Sequence, residues 1–197
     1  MYLIIHMIIG IYGKKHSGKD TISDFICNKY DFVKYGFGDP IKEIAAIMFG
    51  FTESQLYGNE KEQIDEIWGI SPREFFQKFG TDYAQFIFPK HFPNIFECGE
   101  NKRTIWVKVF EKWYLRKIKE NPNLKIVIND IRFNHEYEVI KKMGGYILKV
   151  DRDILLNNDY HISENELDNY HDEKFNYIVK NNRTKEDLYN KIISLIN

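Results

Sequence analysis

Apolar residues run almost unbroken from Tyr2 to Tyr12, a pattern that predicts a strand buried on both faces at the head of the chain. After a glycine-rich polar stretch, Ile22, Phe25 and Ile26 fall three and four apart, predicting an amphipathic helix from about Asp20 to Lys29. Phe32-Val33-Lys34-Tyr35 reads as a short second strand, and Asp39-Pro40 opens a helix carrying Ile41, Ile44, Ala45 and Met48, with Asp39 as its cap. Thr52 to Gly69 is polar and weakly periodic, as expected of a solvated helix or loop. Ser71-Pro72-Arg73-Glu74 has the form of a capping box, and Phe75, Phe76, Phe79, Tyr83 and Phe86 follow at helical spacing, predicting one helix with a broad buried aromatic face. Gly80 interrupts that stripe at a cost of about 1 kcal/mol against Ala, which a close approach by another group would offset. Trp106, Val109, Phe110, Trp113 and Ile118 predict a further helix ending at Asn121-Pro122-Asn123.

Leu124 to Asp130, Tyr146 to Val150 and Phe175 to Val179 read as the third to fifth strands. Asn134 to Met143 is helical in pattern, and Thr184 caps a last helix with Leu188, Ile192, Leu195 and Ile196 on its face. Five strands separated by helical segments imply an α/β fold with a doubly wound five-stranded parallel sheet. The 197 residues suit one domain, 1–197, with an insertion over about 52–120. The polar stretch over about 152–172, which includes His161-Ile162-Ser163-Glu164, reads as a lid.

Composition narrows the partners. A content of 43% hydrophobic and 16% aromatic residues favours a packed core, and a net charge of −1 offers no global basic footprint for nucleic acid. Cys27 and Cys98 are too far apart in sequence for a thiolate pair and make no disulfide framework, so a reducing, cytoplasmic setting is expected. The opening apolar run is too short to span a membrane and lacks the marks of a signal peptide. The sequence is compatible with a homodimer.

The chemistry starts at Gly13-Lys14-Lys15-His16-Ser17-Gly18-Lys19, which has the Gly-x4-Gly-Lys spacing of a phosphate-binding loop between a strand and a helix. Gly13 and Gly18 let backbone amides approach an anion, and Lys19 can reach across the cradle. Where a hydroxyl residue is expected after Lys19, the chain has Asp20, then Thr21. Either can hold Mg²⁺, which favours carboxylate, hydroxyl and water oxygens. Asp130 ends the third strand, at the edge of a parallel sheet where ligands bind, and is the candidate for a second metal-holding position. Arg132, close behind it, and Arg152, after the fourth strand, can compensate charge developing during phosphoryl transfer, each with a plainer reading as an ion-pairing residue. Asn28-Lys29-Tyr30-Asp31 matches a GTPase base-reading motif by letters, but its place at a helix end marks it as coincidence.

Together, the Gly13–Thr21 loop, Phe37-Gly38-Asp39-Pro40-Ile41-Lys42, Phe79-Gly80-Thr81-Asp82, Ile128-Asn129-Asp130-Ile131-Arg132-Phe133, Val150-Asp151-Arg152 and His161–Glu164 resemble the phage-type deoxynucleoside monophosphate kinases, in order over nearly the whole chain. The resemblance implies a P-loop NTPase fold of the nucleoside monophosphate kinase kind, and transfer of the γ-phosphate of ATP to a deoxynucleoside monophosphate with Mg²⁺. It implies donor binding by Gly13, Lys14, Ser17, Gly18, Lys19, Asp20 and Thr21, and catalytic roles for Lys19, Arg132 and Arg152. Acceptor contacts are implied for Asp39, Lys42, Gly80, Asp82 and Arg132. One departure is Gln85, where the family pattern leads one to expect Arg, leaving Arg103 or Arg73 to meet the acceptor phosphate. The animal-type phosphomevalonate kinases share the Ser-Gly-Lys-Asp loop form and stay open as an alternative, as does a nucleotide-dependent switch with no acceptor.

Overall fold

β1 (Ile8–Tyr12) is buried along its whole length. It is the middle strand of a parallel sheet with order β2-β3-β1-β4-β5, in which β2 is Val33–Tyr35, β3 Ile126–Ile128, β4 Tyr146–Asp151 and β5 Tyr177–Lys180. The computed structural model describes residues 7–96, 103–153, 162, 166–167 and 170–196. The first residues of the opening run, Cys98, His161, Ser163, Glu164 and much of the expected lid therefore lie outside the described residues.

Burial explains the strand order. β1 and β3 are apolar at every position and lie in the middle, where both faces are covered. β2 and β5 are partly exposed and lie at the edges. Side chains alternate across the sheet. On one face Ile9, Ile11, Val127, Leu148, Val150 and Val179 pack with Ile22 and Ile26 of α1 (Lys19–Tyr30) and with Leu188 and Ile192 of α8 (Lys185–Ile196). On the other face a Cβ at Gly10 would stand 2.4 Å from Ile131 and 3.0 Å from Ile140 of α7 (Asn134–Lys142), so α7 lies close against the sheet there. Tyr12 stacks on Phe175 at 5.4 Å. Helices thus cover both faces, as a doubly wound sheet requires.

The chain forms two compact units, 1–36 with 110–197, and 37–109. The second starts and stops earlier than the insertion expected over about 52–120. It contains α2 (Asp39–Phe49), α3 (Glu53–Tyr57), α4 (Pro72–Gln77) and α5 (Phe88–His91), and it includes the first turn of α6 (Ile105–Glu120).

The expected single aromatic helix is in fact two segments. Ser71 accepts from the Glu74 amide at 3.1 Å and starts α4, while the Glu74 carboxylate pairs with Lys78, so only half of the capping box is made. From Lys78 to Ile87 the chain is π-helical. Phe75, Phe79 and Tyr83 do stack in a ladder, at 5.0 and 5.7 Å. The wider turn, however, directs Gly80, Thr81, Ala84 and Gln85 inward and leaves Tyr83 and Phe86 exposed. A stripe drawn at a 3.6-residue period cannot foresee that change. Asp39 does not cap α2 either: Gly38 is the capping residue and Asp39 is the first helical one. At the other end of α1, Asp31 takes a left-handed conformation and closes the helix, a structural role for the stretch 28–31.

Candidate active site

Two left-handed residues, His16 (φ 64°) and Gly18 (φ 102°), bend the loop between β1 and α1 into a tight turn of the kind that can turn amides toward an anion. The Ser17 amide donates to the Lys14 carbonyl at 3.0 Å. A Cβ on Gly18 would be strained by the backbone and would stand 2.4 Å from Asn181 Nδ2. Lys19 folds across the loop, its Nζ donating to the carbonyls of Gly13 at 2.6 Å and Lys14 at 2.8 Å. Above lies a cavity of about 240 Å³ lined by Gly13, Lys14, Ser17, Lys149, Asp151 and Arg152 among others. Its chemistry suits a phosphate chain. The Ser17 hydroxyl is buried with no hydrogen-bond partner among the described residues, and a Cβ at Gly13 would stand 2.6 Å from that hydroxyl.

Arg152 belongs to this loop. Its Nη1 donates to the His16 carbonyl at 3.1 Å, which places its charge at the cavity wall. Arg132 sits elsewhere in the first unit, beside Asp130, with 4.0 Å between Nε and Oδ2. Asp20, the second residue of α1, is exposed and accepts from Asn129 Nδ2 at 2.7 Å, with Lys34 Nζ at 3.7 Å. That bond ties the carboxylate after the loop to the residue just before Asp130. The Lys34 ammonium loses some preference for its charged form through burial, but Asp24 and Asp20 outweigh this and its pKa is raised. Thr21 follows on the same helical turn. The Asp20 carboxylate is thus bonded to the neighbour in chain of Asp130, just past β3, and the side-chain oxygens of Asp20, Thr21 and Asp130 are of the hard kind that Mg²⁺ takes. That ion needs only one or two protein carboxylates when phosphates and water complete its shell.

Two positioning residues escaped the sequence reading. Asn181, just past β5, donates from Nδ2 to the Ser17 carbonyl at 2.7 Å and from its amide to the Asp151 carbonyl at 2.7 Å, bracing the loop from behind. Nothing local in sequence marks it. Glu136 is fully buried in the first turn of α7, where its Oε2 accepts from the amides of Arg132 at 2.8 Å and Phe133 at 3.1 Å. Burial is the main cause that pushes its pKa up to about 8, and the Asp130 charge adds to it, against the two amides and Arg132. A Glu three residues past the helix entry was the available signal for this role.

Within the second unit, Lys42 Nζ pairs with Asp39 at 2.8 Å and lies 4.5 Å over the Tyr57 ring. Gly80 is packed where a Cβ would stand 2.5 Å from Ile41, and its carbonyl accepts from Trp106 Nε1 at 2.7 Å. The close approach expected at that glycine is therefore present. Asp82 is exposed. Asp39, Lys42 and Gly80 are thus drawn together through α2 and the π-helical segment.

The sequence model of the family described as deoxynucleotide monophosphate kinase matches residues 7–62 and 50–192. A putative deoxynucleotide monophosphate kinase of Acanthamoeba polyphaga mimivirus is 33% identical over 193 residues, covering 96% of each chain. The deoxynucleotide monophosphate kinase of Enterobacteria phage T4 is 26% identical, over 94% of this chain and 96% of its own. Among solved structures, an unliganded sugar kinase from Janibacter shares the fold at a TM-score of 0.51 and 10% identity, covering 96% of this chain and 92% of its own. With matches that run from the phosphate loop to the last strand, the chain belongs to the deoxynucleotide monophosphate kinase family.

Proposed function

We propose that the protein transfers the γ-phosphate of ATP to a deoxynucleoside monophosphate, giving the deoxynucleoside diphosphate and ADP. The observation that carries this reading is the phosphate loop, with Lys19 folded across it and Arg152 at its cavity wall, in a chain of this family. An oxygen of the acceptor's 5′-phosphate attacks the γ-phosphorus in line, and the bond from that phosphorus to the ADP oxygen breaks. The electron pair stays on ADP, and the protein supplies position and positive charge.

Gly13, Lys14, Ser17, Gly18, Lys19, Asp20 and Thr21 bind the donor in this reading, and Lys19, Arg132 and Arg152 offset the charge spread over the transferring oxygens. Mg²⁺ held near Asp20, Thr21 and Asp130 would neutralise the donor phosphates. Asp39, Lys42, Gly80, Asp82 and Arg132 serve the acceptor. The chain acts as one P-loop kinase domain, 1–197, with an acceptor-binding insertion over about 52–120 and a lid over about 152–172. Its partners are free nucleotides, and its setting is the host cytoplasm.

The test is ADP release from ATP and Mg²⁺ with dTMP, dGMP, dCMP and dAMP each offered as acceptor, beside Lys19→Ala and Asp20→Ala. Stimulation by at least one acceptor is expected, falling at least about a hundredfold in K19A. Asp20→Ala is expected to lose turnover while keeping its fold. ADP release indifferent to every acceptor contradicts the kinase reading, and an unaltered rate and magnesium dependence in D20A contradicts the metal assignment.

A further inference from the structure

In the second unit, the start of α6 is tied to the π-helical segment by two side chains. Trp106 holds the Gly80 carbonyl, and Arg103 Nε donates to Gln85 Oε1 at 3.2 Å. In a helix bonded i to i+5, residues 80 and 85 share a face, so both ties meet the same side of the segment. Gln85 is only 2% exposed, and its amide nitrogen has no hydrogen-bond partner among the described residues. Leaving such a donor unsatisfied is costly, so Gln85 is held in place by packing and by Arg103. The guanidinium lies 5.0 Å over the ring of Phe86, itself exposed. Anchored through Nε and stacked on an aromatic face, it has the fixed plane with which arginine grips phosphate by two parallel bonds. Arg103 also lies just ahead of Ile105, the first residue of a 16-residue helix whose N-terminal dipole adds positive potential.

We propose that Arg103, held by Gln85 and Phe86, binds the 5′-phosphate of the acceptor nucleotide. Gln85 carries no charge of its own, and the structure brings a guanidinium to it from the turn ahead of α6. The rival, Arg73, lies in the first turn of α4 with its side chain mostly covered and its Nε 3.9 Å from a Glu62 carboxylate oxygen. The assignment rests on the kinase reading and adds to it the residue that recognises the acceptor.

Steady-state kinetics of wild type, Arg103→Ala, Arg103→Lys and Arg73→Ala, with dNMP and ATP varied in turn, tests it. Removing the guanidinium is expected to raise the KM for the acceptor about tenfold to a hundredfold while the KM for ATP holds. Arg103→Lys keeps the charge but loses the fork, and its acceptor KM is expected to fall between wild type and R103A. Arg73→Ala is expected to leave the acceptor KM unchanged. If R103A loses its thermal transition, R103K decides: a raised acceptor KM at constant ATP KM supports the assignment, and an unchanged one overturns it. Wild-type turnover that depends on dNMP, with an unaltered acceptor KM in R103A, overturns the role of Arg103 alone. Wild type with no acceptor-stimulated ADP release overturns the kinase reading and this assignment with it.

Discussion

Glu136 illustrates how much one buried side chain can carry. An acid on a helix surface would be ionised at neutral pH, but here burial raises the carboxyl to about 8 against an ordinary 4.5, although two backbone amides favour the charged form. Between those two values the folded protein holds a proton that the unfolded chain has released. Its contribution to stability is therefore complete below about pH 4.5 and is lost as pH rises through about 8. Glu136→Gln keeps an oxygen for the two amides and cannot ionise. Wild type is expected to lose on the order of a few kcal/mol more stability than E136Q between pH 5 and pH 8.5. Chemical denaturation of both proteins across that range checks it, and parallel pH profiles would contradict the assignment. The sequence offered Glu136 only as an acid near a helix entry. Its burial depends on Asn134–Lys142 lying against the sheet, which no neighbour in sequence dictates.

At the scale of elements, the phosphate loop works because three backbone regions meet behind it. β1 delivers Gly13, the left-handed turn at Gly18 launches α1, and Asn181 after β5 bonds to the Ser17 carbonyl. Gly18→Ala would force a side chain into a left-handed backbone and against Asn181. The expected cost is roughly 2–4 kcal/mol, from backbone strain together with overpacking. Urea denaturation reads this directly, and a loss below 0.5 kcal/mol would be inconsistent with the loop geometry described. Helices with a regular apolar period were legible in the sequence nearly to the residue, as for α7, expected over 134–143 and found at Asn134–Lys142, whereas β3, expected over 124–130, is only Ile126–Ile128. The π-helical stretch was not, because its change of period is imposed by packing: Gly80 against Ile41 and Trp106 on the Gly80 carbonyl.

For the whole molecule, nucleotide binding should couple to global stability, since a ligand that binds only the folded state stabilises it by mass action. ATP with Mg²⁺ at about a hundred times its Kd is expected to add about 2.7 kcal/mol, or roughly 5–10 °C in Tm for a chain of this size. Lys19→Ala is expected to lose most of that shift. Thermal denaturation with and without nucleotide measures it, and a wild-type Tm indifferent to ATP would contradict donor binding. The sequence by itself determined the order of strands and helices and the phosphate loop with its lysine. Apolar period, turn glycines and motif spacing are local properties, written within a dozen residues. Only the tertiary structure decided the order β2-β3-β1-β4-β5, the bond from Asn129 to Asp20, the brace from Asn181 to Ser17, and the meeting of Arg103 with Gln85. Those contacts join residues 18 to 164 positions apart, and only burial of both sheet faces and close packing of helices selects which distant side chains meet.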